Sequence, residues 1–409
     1  MLLELAWKNM WRNPTRSLVI IAATTVGLTG GVVAAALMYG MADQMITSAI
    51  ETRLSHLQIH HPDFLVEHTV DLVIPQADSI VTYADNMPEV IGVSPRVVVR
   101  GMASSAKTAG GINLLGVEPS RESTASSVPS SIVKGGFLGT RRRDHVRDPI
   151  VIGTELAEKL ELQTGSKLVV TFQDAGGQIT GAAFTITGLY ETVSSRFDET
   201  HAYVRAATVR RLLGLSGGYH EIALRLSDAS DVKLVEEKLQ SRFRGIVADS
   251  WKDMAPDLRY MSEMMNSMLF IFLAVILAAL AFGIVNTMLM AVLERTRELG
   301  MLLAVGMHRR LVFMMILLET LALSITGGIL GMVCSGALVA LLDNIGIDLS
   351  LFSKGLRVFG ISEVIYPSVP VELYPMLMAL VVVTALLSAI YPSIKALRLR
   401  PAAALRTAA

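Results

Sequence analysis

Four long apolar stretches divide the chain into membrane-spanning and water-exposed segments. Residues 17–42, 264–293, 311–342 and 373–394 are predominantly apolar, and only the third contains a charged residue, Glu319. A helix needs about 20 apolar residues to cross the hydrocarbon core of a bilayer. The pattern therefore predicts four transmembrane helices. The composition agrees, since 52% of the residues are hydrophobic and the mean hydropathy is +0.51.

The first apolar stretch has an alternative interpretation as a signal peptide, with Ala34–Ala36 as the cleavage site. Its 26 residues far exceed the 7–15 that the apolar region of a signal peptide uses, so we expect it to stay attached as a first span. Gly27 and Gly31 have a GxxxG spacing, which predicts close approach of another helix.

Residues 43–263 alternate polar and apolar positions and predict an α+β domain of one or two lobes, inserted between the first and second spans. Ser120–Ser131 is rich in serine and predicts a flexible insertion or lobe boundary. Short β-branched runs predict strands at 90–99, 112–117, 167–172, 183–189 and 222–226. Helical spacing of apolar residues predicts helices at 155–161, 206–213 and 232–243.

Basic residues predict the orientation in the membrane. Residues 1–16 hold three basic residues and one acidic residue, the connector 294–310 holds four and two, and the tail 395–409 holds four and none. The loop 343–372 has two basic and four acidic residues. By the positive-inside rule, both termini and the connector are cytoplasmic, and the large domain lies on the other side.

The N-terminal residues 1–16 predict an amphipathic helix in the headgroup region. Trp7 and Trp11 share an apolar face, and Arg12 lies on the opposite, charged face. Tryptophan beside basic residues is typical of interfacial helices. The alternative is a plain cytoplasmic extension of the first span.

The connector between the second and third spans is short and charged. Glu294–Gly306 reads ERTRELGMLLAVG, with four charges in its first five residues, and is too short to fold alone. We interpret it as a contact for a protein in the adjacent water.

Glu319 is a carboxylate inside a predicted span, which makes it costly and by default a functional candidate. We favour a pairing with the basic connector or a neighbouring helix over a proton relay, since the other spans offer no second acidic group. Gly327, Gly331 and Ser335 follow at four-residue spacing and predict a helix–helix or dimer contact.

Several motifs point to chemistry that the rest of the sequence does not support. Leu215–Gly218 matches the start of an ATPase signature, but no phosphate-binding loop G-x-x-x-x-G-K-[ST] exists, so we interpret it as a turn. His56, His60 and His61 lack a further metal ligand at a recognised spacing and predict a surface strand. Arg141–Arg143 with Arg147 predicts a solvated loop or a contact with anionic headgroups.

Residues Asn286–Glu319, with the tail YPSIKALRLRPAAALR and the segment WRNPTRS, closely resemble the FtsX/MacB-type permeases of ABC transporters. The runs VIGTELAEKLELQTGSKLVVTF and FTITGLYETVSSRFDETHAYV resemble the lipoprotein-releasing LolC/LolE branch. One departure is Gln173–Ala183, a short Gly-rich turn where one subunit of that branch has a protruding hairpin that recruits a carrier.

The resemblance implies a bacterial inner-membrane protein that works as a homodimer or related heterodimer with two copies of a cytoplasmic ATPase. ATP and Mg²⁺ would bind that partner, and this chain would have no catalytic site, cofactor or nucleic-acid partner. The coupling role would carry over to residues of the connector: Glu294, Arg295, Arg297, Glu298, Gly300, Ala304 and Gly306.

The fold class we predict is an α-helical membrane protein with four transmembrane helices and a large extracytoplasmic α+β domain between helices 1 and 2. The function implied is extraction or export of a lipid-linked or hydrophobic substrate, in contact with membrane lipids and in some branches with a periplasmic adaptor or carrier. The alternatives are a mechanical regulator of an envelope enzyme and a MacB-like efflux component. A membrane-anchored extracytoplasmic enzyme is disfavoured, because no catalytic constellation stands out in the domain.

Overall fold

The computed structural model describes residues 14–138 and 148–397, which form two compact units. The membrane unit takes in the described residues up to Ala42, Glu263–Asp348 and those from Val364 onward. The domain unit takes in Asp43–Ser262 and Leu349–Glu363. Trp7, Trp11, Arg12, the arginines between 141 and 147 and the tail beyond residue 397 lie outside the described residues.

The elements are numbered in chain order. The helices are α1 (Pro14–Ala49), α2 (Phe64–Glu67), α3 (Ala77–Asp85), α4 (Pro119–Ala125), α5 (Thr154–Lys159), α6 (Ser195–Thr200), α7 (Ala206–Leu213), α8 (Val232–Arg242), α9 (Trp251–Met254), α10 (Pro256–Glu294), α11 (Thr296–Ala304), α12 (Arg309–Ile345), α13 (Ser353–Val358) and α14 (Leu373–Leu397). The strands are β1 (Leu57–His60), β2 (Val90–Ser104), β3 (Ala109–Val117), β4 (Ile132–Gly135), β5 (Pro149–Gly153), β6 (Lys167–Gln173), β7 (Ile179–Tyr190), β8 (His201–Arg205), β9 (Glu221–Leu226), β10 (Val247–Ser250), β11 (Ile347–Asp348) and β12 (Val364–Ile365).

Among the described residues, four helices are long and apolar enough to cross a membrane: α1, α10, α12 and α14. Two of them extend well beyond the apolar stretches that predicted them. Helix α1 continues past Ala42 to Ala49 and then into a π-helical turn, Ile50–Leu54, while α10 begins at Pro256. An apolar pattern marks the part of a helix that contacts lipid, whereas the helix itself ends where its backbone hydrogen bonds end.

Helices α1 and α12 pack closely within the membrane unit, through the small residues at 327 and 331. A Cβ built on Gly327 would lie 2.8 Å from the Cβ of Thr24. The Thr25 hydroxyl donates to the carbonyl of Gly327 at 3.1 Å, and the Thr29 hydroxyl donates to that of Gly331 at 3.3 Å. The two glycines therefore serve a helix contact inside one chain. Ser335, the third member of this stripe, is also buried.

The domain unit is built on one ten-stranded sheet, part of which closes on itself. The order β10-β1-β9-β2-β3-β8-β5-β7-β4 is completed by β6, which pairs with both β2 and β7. Strands β2, β3, β8, β5, β7 and β6 therefore form a closed ring. The first half of the long strand β2 pairs with β9 and its second half pairs with β3, so β2 joins an open sheet to the ring.

The apolar core of the domain follows the predicted periodicity. All five predicted strands and all three predicted helices are present, within a few residues of the predicted bounds. Helix α8 buries Val232, Val235 and Leu239, and they join one cluster with Leu57 and Ile59 of β1. The apolar face that the spacing predicted for α8 is therefore the face that packs in the core.

Two predictions about this domain are wrong. The stretch around His56–His61 forms β1, a fully buried strand between β9 and β10, and not a surface strand. The Ser120–Ser131 stretch is not a flexible insertion, because α4 and a 3₁₀ turn occupy it and Glu122 is fully buried there. Strand β1 is buried because β9 and β10 flank it, and Glu122 is buried because it pairs with Arg96 of β2.

Candidate functional site

The charged connector forms a short helix, α11, between two helices of the membrane unit. Helix α10 ends at Glu294, α11 spans Thr296–Ala304 and α12 begins at Arg309. The Thr296 hydroxyl donates to the carbonyl of Leu293 at 2.7 Å. The connector is therefore an ordered element and not an extended loop.

The inner face of α11 is seated on apolar side chains of the neighbouring helices. Leu299 and Gly300 are buried. Leu299 belongs to a cluster that also contains residues of α1, α10, α12 and α14, with Leu303 and Met307 packed against it. The short helix therefore shares one apolar cluster with the four long helices.

Arg295 and Glu319 form a buried ion pair at the base of this helix. The Nη1 atom of Arg295 lies 3.1 Å from Oε1 and 3.3 Å from Oε2 of Glu319. Both residues are buried. The pairing of Glu319 with the basic connector, which the sequence favoured over a proton relay, is thus present. The ion pair joins Arg295, directly before α11, to a position ten residues after the start of α12.

The outer face of α11 combines apolar and charged side chains. Met301 and Leu302 are exposed, and Val305 is 88% exposed. Arg297 and Glu298 are exposed on the same short segment. Protein interfaces commonly place apolar contacts at the centre and charged groups at the rim. This surface, Arg297–Val305, has the composition of a docking site for another protein.

Gly306 is suited to the end of the connector by its backbone conformation and not by close packing. Its φ angle is +102°, and a Cβ built there would meet no heavy atom of the described residues within 4 Å. A left-handed backbone is costly for residues other than glycine. Gly306 therefore sets the turn between α11 and α12.

The seven connector residues predicted from the sequence thus divide into two groups. Five are exposed: Glu294, Arg297, Glu298, Ala304 and Gly306. Arg295 and Gly300 are buried and hold the helix in place. Sequence reasoning missed the exposed apolar residues Met301, Leu302 and Val305, because apolar residues between two membrane spans carry no signal that separates them from the spans.

A groove between α1 and α10 is the second feature of the membrane unit. It encloses about 610 Å³ and is lined by small and apolar residues together with the polar side chains of Thr24, Asn286 and Thr287. A Cβ built on Gly31 would lie 3.0 Å from Cδ1 of Ile276, whereas one on Gly27 would meet no described heavy atom within 4 Å. Gly31 thus permits the predicted helix approach, while Gly27 opens the groove and does not pack.

In the domain unit, the segment between α12 and α14 is held by one arginine. Arg357 of α13 lies 2.7 Å from Glu191, 3.6 Å from Asp198 and 3.8 Å from Glu155, measured between charged atoms. Asp198 also accepts hydrogen bonds from the backbone and hydroxyl of Thr192. Burial raises the pKa of Asp198 to about 6, although the Thr192 hydrogen bonds and the charge of Arg357 act to lower it.

Two other sequence motifs have structural roles. Leu215–Gly218 lies in the turn between α7 and β9, as predicted. His60 is buried in β1 with Nε2 at 3.1 Å from Oε1 of Gln58. In the described part of the chain, no three His, Cys, Asp or Glu residues are grouped as a metal site.

Family comparisons agree with this architecture. The MacB-like periplasmic core domain matches residues 17–242, more than half of the chain. The FtsX-like permease C-terminal family matches residues 270–401, which include the connector. The chain belongs to the FtsX/MacB-type permeases of ABC transporters. It is therefore a multi-pass inner-membrane permease with a periplasmic domain of the MacB type.

Relatives of this permease come from more than one branch. It is 23% identical over 405 residues to the lipoprotein-releasing system transmembrane protein LolC of Neisseria meningitidis serogroup B, covering 95% of this chain and 94% of the relative. It is 24% identical to the pyoverdine export ATP-binding/permease protein PvdT of Pseudomonas fluorescens, covering 80% of this chain and 50% of that protein. It is 25% identical to the macrolide export ATP-binding/permease protein MacB of Bdellovibrio bacteriovorus, and the match covers 62% of this chain and 40% of that protein.

Among solved structures, the periplasmic region of MacB from Actinobacillus actinomycetemcomitans matches with a TM-score of 0.36 and 12% identity. The match covers 53% of the permease described here and 95% of that structure.

Proposed function

We propose that this permease couples ATP hydrolysis by a separate cytoplasmic ATPase to the extraction of a lipid-linked substrate from the inner membrane. The observation that carries the proposal is the surface of α11, where Val305, Met301 and Leu302 are exposed beside Arg297 and Glu298. The ATPase, which binds ATP and Mg²⁺, would dock on this surface. Its movements would reach the membrane helices through Leu299 and the Arg295–Glu319 pair.

The groove between α1 and α10 supports a substrate with an acyl chain. Its walls are mainly apolar, and pockets of roughly 300–1,000 Å³ are typical of small-ligand sites. The relative that matches nearly the whole chain is named for lipoprotein release. A lipid-linked substrate would place an acyl chain in the groove.

The assembly we propose has two permease copies and two ATPase copies, with the connector and both termini in the cytoplasm. The basic residues of the connector and tail support this orientation. In whole cells with Cys334 replaced by Ser, a membrane-impermeant maleimide should label Ser216→Cys in the domain and should not label His308→Cys in the connector. Labelling of the His308→Cys variant would contradict the orientation.

Val305→Asp tests the docking surface. Val305 is 88% exposed, so this change places a charge on the proposed contact without disturbing a buried side chain. Loss of an apolar contact at the centre of an interface costs about 2 kcal/mol, or roughly a 30-fold loss of affinity. We expect normal amounts of protein in the membrane, weak co-purification of the ATPase and little transport-coupled ATP turnover.

The matched control is Val371→Asp. Val371 is 77% exposed and precedes α14 in the loop between the third and fourth spans. It should leave ATPase association unchanged, since that loop is predicted to be periplasmic. If Val305→Asp retained full association and full turnover, the surface of α11 would not be the coupling site.

A further inference from the structure

A cavity of about 830 Å³ lies in the domain unit, at the places where α1 and α10 join the domain. Its walls come from four segments: the end of α1 with the π-helical turn, the start of α10 with α9, helix α6, and the end of α13. Helices α1 and α10 are continuous with the first two membrane spans, so the cavity begins within a few residues of the apolar stretches.

Two arginines line this cavity, Arg53 after α1 and Arg196 on α6. Within residues 14–138 and 148–397, neither guanidinium has a hydrogen bond or an ion pair. Burial lowers the pKa of Arg53, and the nearby charges of Glu221 and Asp257 oppose that effect. Arg53 and Arg196 are both exposed, so an anion in the cavity can reach either guanidinium.

The acidic residues of the cavity leave one net positive charge when the Glu199 carboxylate, which is paired outside the cavity, is set aside. Glu199 also lines it, but its carboxylate is already paired with Lys159. Asp257 is the other acidic side chain of the wall. The Ser48 hydroxyl, which lines the same cavity, is buried and has no hydrogen-bond partner in the described part of the chain. The site therefore offers two cations and a hydroxyl to a ligand.

The remaining walls are apolar and adaptable. Met45, Met254, Met261 and Phe197 line the cavity. Methionine side chains adjust to irregular apolar ligands. Tyr260, one residue before Met261, is 69% exposed on α10, and tyrosine is enriched where helices leave the hydrocarbon region. Two arginines beside methionines, a few residues from the predicted spans, suit a molecule with an anionic headgroup and an acyl chain.

We propose that this cavity binds the headgroup of an acidic phospholipid. Arg53 and Arg196 contact the phosphodiester, the Ser48 hydroxyl donates to one of its oxygens, and the methionines pack along the glycerol and the first acyl carbons. Basic pockets at the ends of membrane helices bind anionic headgroups in this way. The Arg357 contacts hold the wall that α13 supplies.

The test uses the purified full chain in nanodiscs with equal amounts of phosphatidylglycerol and phosphatidylcholine. The lipids that stay bound are counted by native mass spectrometry after release from the nanodisc. Wild type should retain phosphatidylglycerol preferentially. Arg53→Gln and Arg196→Gln should each reduce the preference about fivefold, as expected for one cation at a lipid surface. The double variant should show no preference.

Two controls keep the test decisive. Arg244→Gln removes an exposed arginine of the same unit outside the cavity and should retain the wild-type preference. Arg53→Lys with Arg196→Lys keeps both charges and should retain most of it, which separates loss of charge from loss of fold. No preference in wild type, or a full preference in the Gln double variant, would overturn the proposal. Lipid binding needs no ATPase, so this result is independent of the Val305→Asp result.

Discussion

Arg96 in the domain unit and Arg295 in the membrane unit are both buried and both paired with glutamate, but their surroundings differ. Arg96 donates through Nε and Nη2 to the two oxygens of Glu122, at 2.9 and 2.8 Å, and through Nη1 to Glu221 at 2.6 Å. Arg295 spans both oxygens of Glu319 with one nitrogen, at 3.1 and 3.3 Å. A two-nitrogen fork is the stronger and more directional arrangement.

The two arginines also join different elements. The Arg96 cluster joins β2, α4 and β9, and Ser94 also donates to Glu122, at 2.6 Å. Burial acts to raise the pKa of Glu122, but Arg96 and the hydrogen bonds outweigh it, so the pKa lies below its ordinary value. The Arg295–Glu319 pair joins the residue before α11 to α12, within the membrane unit. We infer that the Arg96 cluster maintains the fold of the domain unit.

The largest expected effect comes from breaking the Arg96 cluster. Glu122→Gln leaves the buried Arg96 without one of its two charged partners, and removing one member of a buried pair costs about 3–5 kcal/mol. We expect a marked fall in the thermal unfolding midpoint of the purified full chain in detergent. Glu161→Gln is the control, since it removes an exposed pair with Lys107 and should cost less than about 1 kcal/mol. Equal midpoints for the two variants would show that the Arg96 cluster is not structural.

An intermediate effect is expected at the connector. Arg295→Gln and Glu319→Gln should each cost about 1.5–3 kcal/mol, the range for a hydrogen bond to a charged group. Each should also lower ATP turnover in the assembled transporter while the ATPase stays bound. The double variant should be less impaired than the two single effects added together, because it leaves no buried charge unpaired. Additive effects would mean that the two residues do not act as a pair.

The smallest expected effect is a change in pH dependence at Asp198, a buried carboxylate whose pairing with Arg357 is looser than either cluster. Its folded pKa, about 6, lies above the ordinary Asp value of 3.8. The folded chain therefore binds more protons than the unfolded chain between about pH 4 and 6, and stability falls as pH rises through this window. Asp198→Asn should remove this pH dependence between about pH 4 and 6.

The measurement is the unfolding midpoint of Asp198→Asn and wild type from pH 4 to 7. Glu158→Gln, an exposed position of the same domain, controls for the loss of one negative charge. If the wild-type and Asp198→Asn midpoints differed by the same amount at every pH, Asp198 would not titrate in this window.

The sequence predicted the elements of this molecule better than its contacts. The length of the apolar stretches was enough to identify four membrane helices, and the spacing of apolar residues was enough to identify helix α8, which is buried on one face. The spacing could not show that β1 is buried, because the flanking strands β9 and β10 come from distant parts of the chain. Nor could it identify α4, where Glu122 is buried beside Ser94 and Arg96 of β2. The exposed Val305 and the groove beside Gly27 depend on how helices pack, which the order of residues in one segment does not specify.

Helices α1 and α10 are longer than a membrane crossing requires. With 36 and 39 residues at about 1.5 Å each, they measure roughly 54 and 58 Å, against about 30 Å for the hydrocarbon core. Each helix is therefore nearly twice as long as a perpendicular crossing requires, so it either tilts or continues outside the hydrocarbon core. Along α1, the α-helical hydrogen bonding ends at Ala49 and the wider π-helical turn Ile50–Leu54 follows directly.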